Sequence, residues 1–382
     1  MEKRKKIIII GPAYPYRGGN SLFISHLYEA LEKHFDVKVF NYKLLYPSIL
    51  FPGTTQYDQS NTVIKKAPNE RKVNSINPFN WIKVANDIIK ENPDLVVFDW
   101  WHPFFGPAHF GISSLIKKKL RNKILFITEN VVSHEANIVD RTLTKLGLAN
   151  SSGFLTLSEK VESEVKEFAK DKPIYLSELP IYDCYISEST KQFSKEKFGF
   201  TKENKVLLFF GYIRKYKGLD LLIKAIPMLL EKYPEMRLLV VGESYDNPET
   251  YTSIIKELKL DDKVVFINKF VPNEDVEEYY AVSDLVVLPY RSATQSGILN
   301  VAYGFLKPVV VTNVGGLIEF VDEGKTGVIV EPESSEKIAE GIIRFFDNYK
   351  NINFSENIKN KIKNNKFFDI HNLFKKIIED RK

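Results

Sequence analysis

Residues 285–316 read LVVLPYRSATQSGILNVAYGFLKPVVVTNVGG, in which an apolar run, a glycine loop, a helical segment and a second apolar run follow one another directly. The backbone N–H groups of Thr294–Gly297 should lie where the first apolar run, taken as a strand, ends. They would also open the helix predicted over Ile298–Phe305, where free N–H groups and the helix dipole attract phosphate. Val314–Gly316 then forms a turn that favours glycine. The alternative is two ordinary strand-to-helix corners, but two such loops in succession favour a phosphate site.

A second anion-binding motif lies upstream, in the segment GYIRKYKG of residues 211–218. It follows the predicted strand Lys205–Phe210 and places Arg214 and Lys217 three residues apart, close enough to grip one diphosphate. The alternative is a solvated basic turn, which is what most charge runs on turns are. Because both loops belong to the same edge of the predicted sheet, we favour a diphosphate site.

Strand and helix patterns alternate along both halves of the chain. In the first half, strands are predicted at 7–10, 37–40, 95–98 and 123–128, and helices at 21–34, 80–91 and 113–120. The second half repeats this alternation from Lys205 to Thr312. Such a pattern predicts parallel sheets with helices on both faces, and ligands beyond the carboxyl ends of the strands. No regular element is predicted for residues 41–76.

The size and composition of the chain restrict the classes of protein to which it can belong. With 382 residues, two domains are expected. A net charge of +5 from 54 basic and 49 acidic residues is too small for a nucleic-acid-binding protein and suits phosphate-rich ligands. The single cysteine, Cys184, excludes an internal disulfide and is expected to be inert. No window holds the roughly 18 apolar residues of a membrane span, and MEKRKKIIII lacks the features of a signal peptide, so we expect a cytoplasmic protein.

A family resemblance rests on the block Phe209–Pro332. Its pieces FFGYIRKYKGLDLLIKA, LLVVGE, VVFINKFVPNEDVEEYYAVSDLVVLPY, SGILNVAYGFLKPVVVTNVGGLIEFV and GKTGVIV resemble the C-terminal domain of family 4 glycosyltransferases, of the bacterial or archaeal surface-glycan type. GPAYPYRGGNSLFISHLYEAL resembles that family's first glycine loop and helix. The resemblance implies an α/β protein of the GT-B fold, with two Rossmann-like doubly wound domains facing each other across a cleft. It also implies transfer of a sugar from a nucleotide diphosphate donor with retained anomeric configuration.

The expected organisation has three parts. An acceptor-binding domain would cover residues 1–185 and a nucleotide-sugar-binding domain residues 186–350. The tail, residues 351–382, carries apolar residues at roughly helical spacing. We expect it to form helices that cross back to the N-terminal domain.

Roles for individual residues follow from the resemblance. Arg214 and Lys217 would bind the donor diphosphate and stabilise it as it departs, while the N–H groups of Ser296, Gly297 and Ile298 would bind its distal phosphate. The other implied donor contacts are Gly18 and Gly19 in the first loop, Glu243, Lys269 and Val271 around the nucleoside, and Thr294 and Gln295. No Asp-x-Asp motif occurs, so neither a metal nor a tightly bound cofactor is expected.

The chain departs from the family pattern at two positions. The family has two glutamates eight residues apart, the first at the transferred sugar and the second at the ribose, and this chain has Ala293 and Val301 there. Thr294, Gln295 or Asn300 would have to replace those contacts. Two alternatives therefore stay open beside transfer: a catalytically impaired nucleotide-sugar-binding protein, and a GT-B epimerase acting on a sugar nucleotide.

The acceptor site is expected in the N-terminal half, where two histidines follow predicted strands. His102 comes after the run Val96–Trp101, and His134 lies in ENVVSHE after the next strand. In the family, a histidine on one of these loops commonly lies beside the reacting centre, a position suited to its near-neutral pKa. Glu135 could orient His134, which we rank first; the alternative for either is a surface or capping side chain.

A basic segment suggests where the acceptor is. Residues Lys117–Lys123 hold five cations and no acid, beside the aromatic pairs 100–101 and 104–105. Such helices can lie on anionic lipid, although a solvated helix face is the alternative. We therefore expect a glycan or lipid-linked acceptor in surface-polysaccharide or glycolipid synthesis, with peripheral contact to the inner face of the cell membrane.

Overall fold

The computed structural model describes residues 4–51, 53–131, 138–169, 171–186, 192–348 and 350–381. The chain forms two compact units. The N-terminal unit comprises Met1–Asp58, Lys65–Pro180 and Asn365–Lys382, and the C-terminal unit comprises Gln59–Ile64 and Ile181–Asn364. Each unit is a parallel sheet with helices, so the predicted α/β class with two Rossmann-like units is confirmed.

Seven parallel strands form the sheet of the N-terminal unit. The strands are β1 (Lys6–Ile10), β2 (Asp36–Leu44), β3 (Asn69–Asn74), β4 (Leu95–Trp100), β5 (Ile124–Thr128), β6 (Gly153–Thr156) and β7 (Ile174–Leu176). Their order in the sheet is β3-β2-β1-β4-β5-β6-β7. Because β1 lies between β2 and β4, the chain turns to the other side of β1 after β3, and the loops beyond β1 and β4 meet at this reversal.

Six helices of this unit lie within the described residues. They are α1 (Gly19–Glu32), α2 (Pro78–Glu91), α3 (Gly106–Leu120), α4 (Ile138–Leu148), α5 (Glu159–Phe168) and α12 (Ile370–Glu379). Helices α2, α3 and α4 contribute to the core on one face of the sheet. On the other face, Phe23 and Leu27 of α1 pack with Ile370 and Phe374 of α12. The last described helix of the chain thus completes the core of the first unit.

Six parallel strands form the sheet of the C-terminal unit. The strands are β8 (Lys205–Phe210), β9 (Met236–Val241), β10 (Val264–Ile267), β11 (Leu285–Leu288), β12 (Val309–Thr312) and β13 (Gly327–Val330). Their order is β10-β9-β8-β11-β12-β13. The helices of this unit are α6 (Leu219–Lys232), α7 (Glu249–Glu257), α8 (Asn273–Ala281), α9 (Gly297–Gly304), α10 (Ser335–Asn348) and α11 (Phe354–Ile362).

Two sequence predictions about the N-terminal half were wrong. Residues 41–76 are not wholly irregular, because β2 extends to Leu44 and β3 covers Asn69–Asn74. The sequence of β3 has no apolar pattern because β3 is an edge strand in which only Val73 is buried. Helix α3 begins at Gly106 rather than Ser113; a Cβ on its Gly111 would lie 2.5 Å from the Trp81 ring, so this glycine lets α2 and α3 pack closely.

Two kinds of feature are absent from the described ranges. None of their helices is both long and apolar enough to cross a bilayer. No group of three or more His, Cys, Asp or Glu side chains in those ranges could hold a metal ion.

Candidate active site

The two predicted phosphate loops flank the reversal point of the C-terminal sheet. The chain leaves β8 towards β9 on one side, while β11 pairs with β8 on the other side. Residues 211–218 follow β8 and residues 289–297 follow β11. In sheets of this type, the loops at the carboxyl ends of the strands beside the reversal form the ligand site.

The basic loop after β8 is well ordered by its neighbours. Arg214 precedes a 3-10 turn over Lys215–Lys217, and its guanidinium lies 5.3 Å from the ring centre of Tyr245. The Ile213 N–H donates to the carbonyl of Glu243, which joins this loop to the one after β9. Lys217 is only 7% exposed, and its ammonium lies 5.6 Å from the ring centre of Tyr290. Burial and the charge of Arg214 lower the pKa of Lys217 to about 8.

Gly211 brings the two loops together. Its φ of +102° is one that glycine adopts readily, and a Cβ there would lie 2.9 Å from Cδ1 of Ile298 and 3.4 Å from Nζ of Lys217. The first turn of α9 and the buried ammonium are therefore neighbours around one glycine. A side chain at position 211 would push the ammonium of Lys217 away from the start of α9. Both groups are predicted from sequence to bind the same ligand.

The loop after β11 is fixed by a residue that sequence reasoning missed. The guanidinium of Arg291 donates to both carboxylate oxygens of Asp220, on α6, and to the carbonyl of Lys215. Burial would raise the pKa of Asp220, but the hydrogen bond and charge of Arg291 bring it below its usual value. A second ion pair joins Arg291 to Glu333 at 2.9 Å. Arg291 thus holds the loop after β11 against the loop after β8.

Helix α9 begins with a side-chain cap. The Ser296 hydroxyl accepts a hydrogen bond from the N–H of Leu299, and Gly297 opens the first turn. The second glycine turn supports this loop, since the N–H of Gly316 donates to the carbonyl of Ala293 at 3.2 Å. Gly315 has φ of +47°, and a Cβ on it would lie 1.6 Å from the same carbonyl oxygen. Only glycine allows this approach.

The two positions of the missing family glutamates are apolar and buried. Ala293 is 4% exposed and Val301, on α9, is 6% exposed. Thr294 and Asn300, two of the suggested replacements, are also buried. The third, Gln295, has a buried Oε1 atom for which the described part of the chain offers no hydrogen-bond partner. This amide oxygen lies next to the cap of α9, where a polar ligand group could meet it.

The proposed nucleoside contacts lie at the same carboxyl edge, beyond β9 and β10. Glu243 follows the end of β9 and is partly buried. Lys269 is exposed and Val271 partly buried in the segment after β10. The loops after four neighbouring strands, β10, β9, β8 and β11, therefore lie at one edge of the C-terminal sheet. Residues 211–218 and 289–297 are two of these loops.

The predicted residues of the N-terminal unit occupy the carboxyl edge of its own sheet. Gly18 precedes α1 with φ of +103°, and both Gly18 and Gly19 are exposed. His102 follows β4 and caps a 3-10 turn, its Nδ1 accepting from the N–H of Phe104 at 3.1 Å. This fixes the tautomer with the proton on Nε2. His134 and Glu135 lie outside the described residues.

A buried carboxyl pair at this edge was not predicted. Asp99 lies on β4 and is fully buried, with no hydrogen-bond partner for either carboxylate oxygen among the described residues. Glu129 directly follows β5, and its N–H donates to the carbonyl of Trp100. Burial, reinforced by Glu129, raises the pKa of Asp99 well above its usual value, and burial raises that of Glu129 to about 7 despite a hydrogen bond with Asn20. The register of β4 against β5 brings these two carboxyl groups together, so no local sequence motif predicts the pair.

Comparison with known proteins identifies the C-terminal half. Residues 190–365 match the model of the family described as glycosyl transferases group 1. The mannosylfructose-phosphate synthase of Agrobacterium fabrum is 35% identical over 42% of this chain and 36% of its own length. The N-acetyl-alpha-D-glucosaminyl L-malate synthase of Bacillus anthracis is 24% identical over 87% of this chain and 85% of its own length. The chain thus spans about a third of the first relative and most of the second.

Solved structures extend the likeness to both units. Sucrose-phosphate synthase from Thermosynechococcus elongatus has a TM-score of 0.72 at 16% identity, covering 99% of this chain and 100% of its own. Anabaena HepE in complex with UDP has a TM-score of 0.73 at 16% identity, covering 98% of this chain and 100% of its own. At such identities the likeness concerns the fold alone, which is that of two-unit GT-B proteins.

Proposed function

We propose that the chain, whose residues 190–365 match the group 1 glycosyl transferases, is such an enzyme and transfers a sugar from a nucleotide diphosphate donor to a glycan or lipid-linked acceptor with retained anomeric configuration. The observation that carries this proposal is the position of Gly211, whose neighbours are the buried ammonium of Lys217 and the first turn of α9. A cation and a capped helix N-terminus that share one edge suit a diphosphate. The UDP complex of HepE, a protein of the same fold, is consistent with such a donor.

The donor diphosphate would be held by three kinds of group. The guanidinium of Arg214 can grip it with two N–H bonds, and the ammonium of Lys217 adds a charge that little water screens. The N–H groups of Ser296, Gly297 and Ile298 would take the distal phosphate. Glu243 and the backbone around Lys269 and Val271 would bind the nucleoside, and Thr294 and Gln295 the sugar. Gly18 and Gly19 complete the proposed donor contacts.

Transfer would occur on one face of the sugar. The bond between the anomeric carbon and the phosphate oxygen breaks, and a bond from the acceptor hydroxyl to the same carbon forms. The acceptor proton passes to the departing diphosphate, whose charge Arg214, Lys217 and the helix dipole stabilise. His102 or His134 would hydrogen-bond the acceptor or the sugar.

One observation favours a second candidate function. Ala293 and Val301 put apolar, buried side chains where the family has its sugar and ribose carboxylates. A protein that keeps the phosphate loops and loses both carboxylates could bind a nucleotide sugar without turning it over. The Oε1 atom of Gln295, directly before the cap of α9, leaves a buried acceptor for a ligand group, which both candidate functions would use.

The acceptor class rests on the outer face of α2, α3 and α4. Phe79 on α2 and Ile138 on α4 are each 83% exposed. Lys118, Lys119 and Arg121 are exposed near the end of α3, whereas Lys117 donates to Asn150 and Lys123 to the carbonyl of Pro93. Phe79 and Ile138 lie at the starts of their helices and the cations at the end of α3, so the two groups are at opposite ends of this helix layer. The exposed cations by themselves suit an anionic membrane surface. We therefore favour a lipid-linked acceptor in surface-polysaccharide or glycolipid synthesis.

The decisive experiment is calorimetry of the whole chain against a panel of nucleotide sugars, followed by assays for released nucleoside diphosphate and for altered sugar nucleotide. Binding with acceptor-dependent release of the diphosphate supports transfer. Binding without release or altered product supports the binding-only alternative. Conversion of the sugar nucleotide to an epimer without acceptor identifies an epimerase, and the absence of binding to every donor contradicts all three.

A further inference from the structure

A cavity of about 580 Å³ lies in the N-terminal unit, and none of the residues assigned to transfer belongs to its lining. Its lining comes from the end of α4, the first residues of β6, the end of α5 and the segment before β7. These segments meet at the amino ends of β6 and β7. Because all strands of the sheet are parallel, Gly18, His102 and Glu129 lie at the opposite edge. The volume is in the range of small-molecule sites.

Three basic residues belong to the lining of this cavity. Arg141 and Lys145 are four residues apart on α4 and therefore share a helix face. Lys172 comes from the segment before β7. Its ammonium donates to the carbonyl of Ala149 at 3.2 Å and to the hydroxyl of Ser151 at 2.9 Å. Those bonds hold the ammonium at the cavity wall and use two of its three donors.

The charge of these cations is poorly compensated. Among the described residues that line the cavity, Glu167 is the single acid, and no ion pair joins Arg141, Lys145 or Lys172 to a carboxylate. Two other acids of α5 are paired within that helix, Glu162 with Lys166 and Glu164 with Lys160. Burial and the charge of Lys117 both lower the pKa of Lys172. An anion would be stabilised by three positive charges here.

The cavity also has an apolar side. Leu148, Phe154 and Phe168 belong to its lining, and Leu148 and Phe154 are part of the core beneath it. The ammonium of Lys172 lies 5.9 Å from the ring centre of Phe154. A ligand that fits both halves of the lining has an anionic group at the cations and an apolar part against the rings.

We propose that this cavity is a second ligand site, which binds a phosphate ester through Arg141, Lys145 and Lys172. A phosphate group presents several acceptors to the guanidinium fork and to two ammonium groups at once. The glycerol phosphate of an anionic phospholipid and a free sugar or glycerol phosphate share this chemistry. The site does not depend on the donor assignment. Its lining residues belong to the N-terminal unit, whereas Arg214 and Lys217 belong to the C-terminal unit.

Pulsed acylation of lysines, followed by mass spectrometry of the whole chain, tests the site locally. Inorganic phosphate or glycerol 3-phosphate should protect Lys145 and Lys172 several-fold and saturably, compared with chloride at the same ionic strength. Lys256 and Lys259, exposed in the C-terminal unit and outside the cavity lining, are the internal controls and should not change in any arm. Equal protection of all four lysines, or of none in any arm, would overturn the proposal.

Two further arms identify the source and exclude a general charge effect. Vesicles of phosphatidylglycerol are compared with vesicles made anionic by a fatty acid, which carry carboxylate in place of phosphate. Protection by phosphatidylglycerol alone indicates a lipid headgroup, and protection by glycerol 3-phosphate indicates a free ester; equal protection by both vesicle types contradicts phosphate recognition. In the glycerol 3-phosphate arm, Arg141→Gln should abolish protection of Lys172, whereas Arg121→Gln, outside the cavity, should leave it unchanged. Retained protection in Arg141→Gln would also overturn the proposal.

Discussion

The guanidinium of Arg291 meets the carboxylate of Asp220 through two parallel hydrogen bonds of 2.8 Å each. The pair joins the loop after β11 to the start of α6. The same guanidinium also donates a hydrogen bond to the carbonyl oxygen of Lys215. The geometry of the loops on both sides of the proposed diphosphate therefore depends on a planar guanidinium that donates two hydrogen bonds to one carboxylate. A lysine ammonium could not reproduce this contact.

Replacing Arg291 by lysine should weaken both the fold and donor binding. We expect Arg291→Lys and Asp220→Asn each to lower the free energy of unfolding by about 1–3 kcal/mol, because the partner is left half-buried and unpaired. The donor KM should rise in both. Thermal unfolding and a double-mutant cycle measure the coupling. Glu340→Gln removes the exposed pair with Lys337 and should change stability by less than about 0.5 kcal/mol. An uncoupled pair would contradict the scaffold role.

Arg214→Ala should abolish sugar transfer without unfolding the protein. Its guanidinium is partly exposed and stacks on Tyr245, so its loss leaves no buried group unpaired. We expect kcat/KM to fall by at least a hundredfold, as for removal of a group that stabilises transition-state charge. Lys215→Ala, on the same turn with an exposed side chain, is the matched control and should keep most activity. Full activity in Arg214→Ala would refute the diphosphate assignment.

Lys217→Met should stabilise the protein and destroy donor binding. Because the pKa of Lys217 is lowered to about 8, the unfolded chain binds the proton more tightly between pH 8 and the usual value of 10.5. The buried charge therefore costs stability below pH 8, on the order of 1–3 kcal/mol, and the cost disappears as the pH approaches 10.5. Unfolding temperatures at pH 7 and pH 10 measure this; an equal change at both values would mean that packing alone is responsible. The exposed variant Lys215→Met should show neither effect.

Glu129→Gln should change the pH dependence of stability. The raised pKa of Glu129, about 7, means that its contribution to stability is fully present below about pH 4.5 and is lost as the pH rises through 7. The amide does not ionise, so at pH 8 the variant should be more stable than the parent by an amount on the order of 1–3 kcal/mol, and at pH 4 the difference should vanish. Denaturant titrations at both pH values provide the measurement. The exposed variant Glu257→Gln should match the parent throughout.

Binding to anionic vesicles should depend on salt and on the end of α3. The double variant Lys118→Glu/Lys119→Glu should pellet at least tenfold less with anionic liposomes at low ionic strength, since each cation near such a surface contributes about 1 kcal/mol. High salt should release the parent protein. The same charge reversal at Lys256 and Lys259, exposed in the C-terminal unit, is the control. Equal, negligible pelleting with anionic and neutral liposomes would favour an acceptor in solution.

Strands buried on both faces could be predicted from sequence almost to the residue. β8 has the predicted bounds, and β1 and β5 differ from theirs by one residue, because a strand covered on both sides must be a continuous apolar run. β3 was missed for the opposite reason, since an edge strand with one buried residue has no such run. The short strands β6 and β7 were also not predicted, because strands of three or four residues give weak patterns.

The candidate site divides in the same way. Arg214, Lys217 and Ser296 lie in local motifs, so their spacing alone predicted the loops in which they are found; their roles stay predictions. Arg291 and Asp220 are far apart in sequence and become partners only when β8 and β11 pair. Asp99 and Glu129 likewise depend on the register of β4 against β5. Contacts made by tertiary structure leave no mark in local sequence.

The placement of α12 has a consequence for synthesis on the ribosome. The core around Phe23 and Leu27 is completed by Ile370 and Phe374, which are translated long after β7. At 5–20 residues per second, the nascent N-terminal sheet waits roughly 10–40 s for its last helix. During that interval its apolar face is open to chaperones and to misassembly, and the C-terminal unit can fold first.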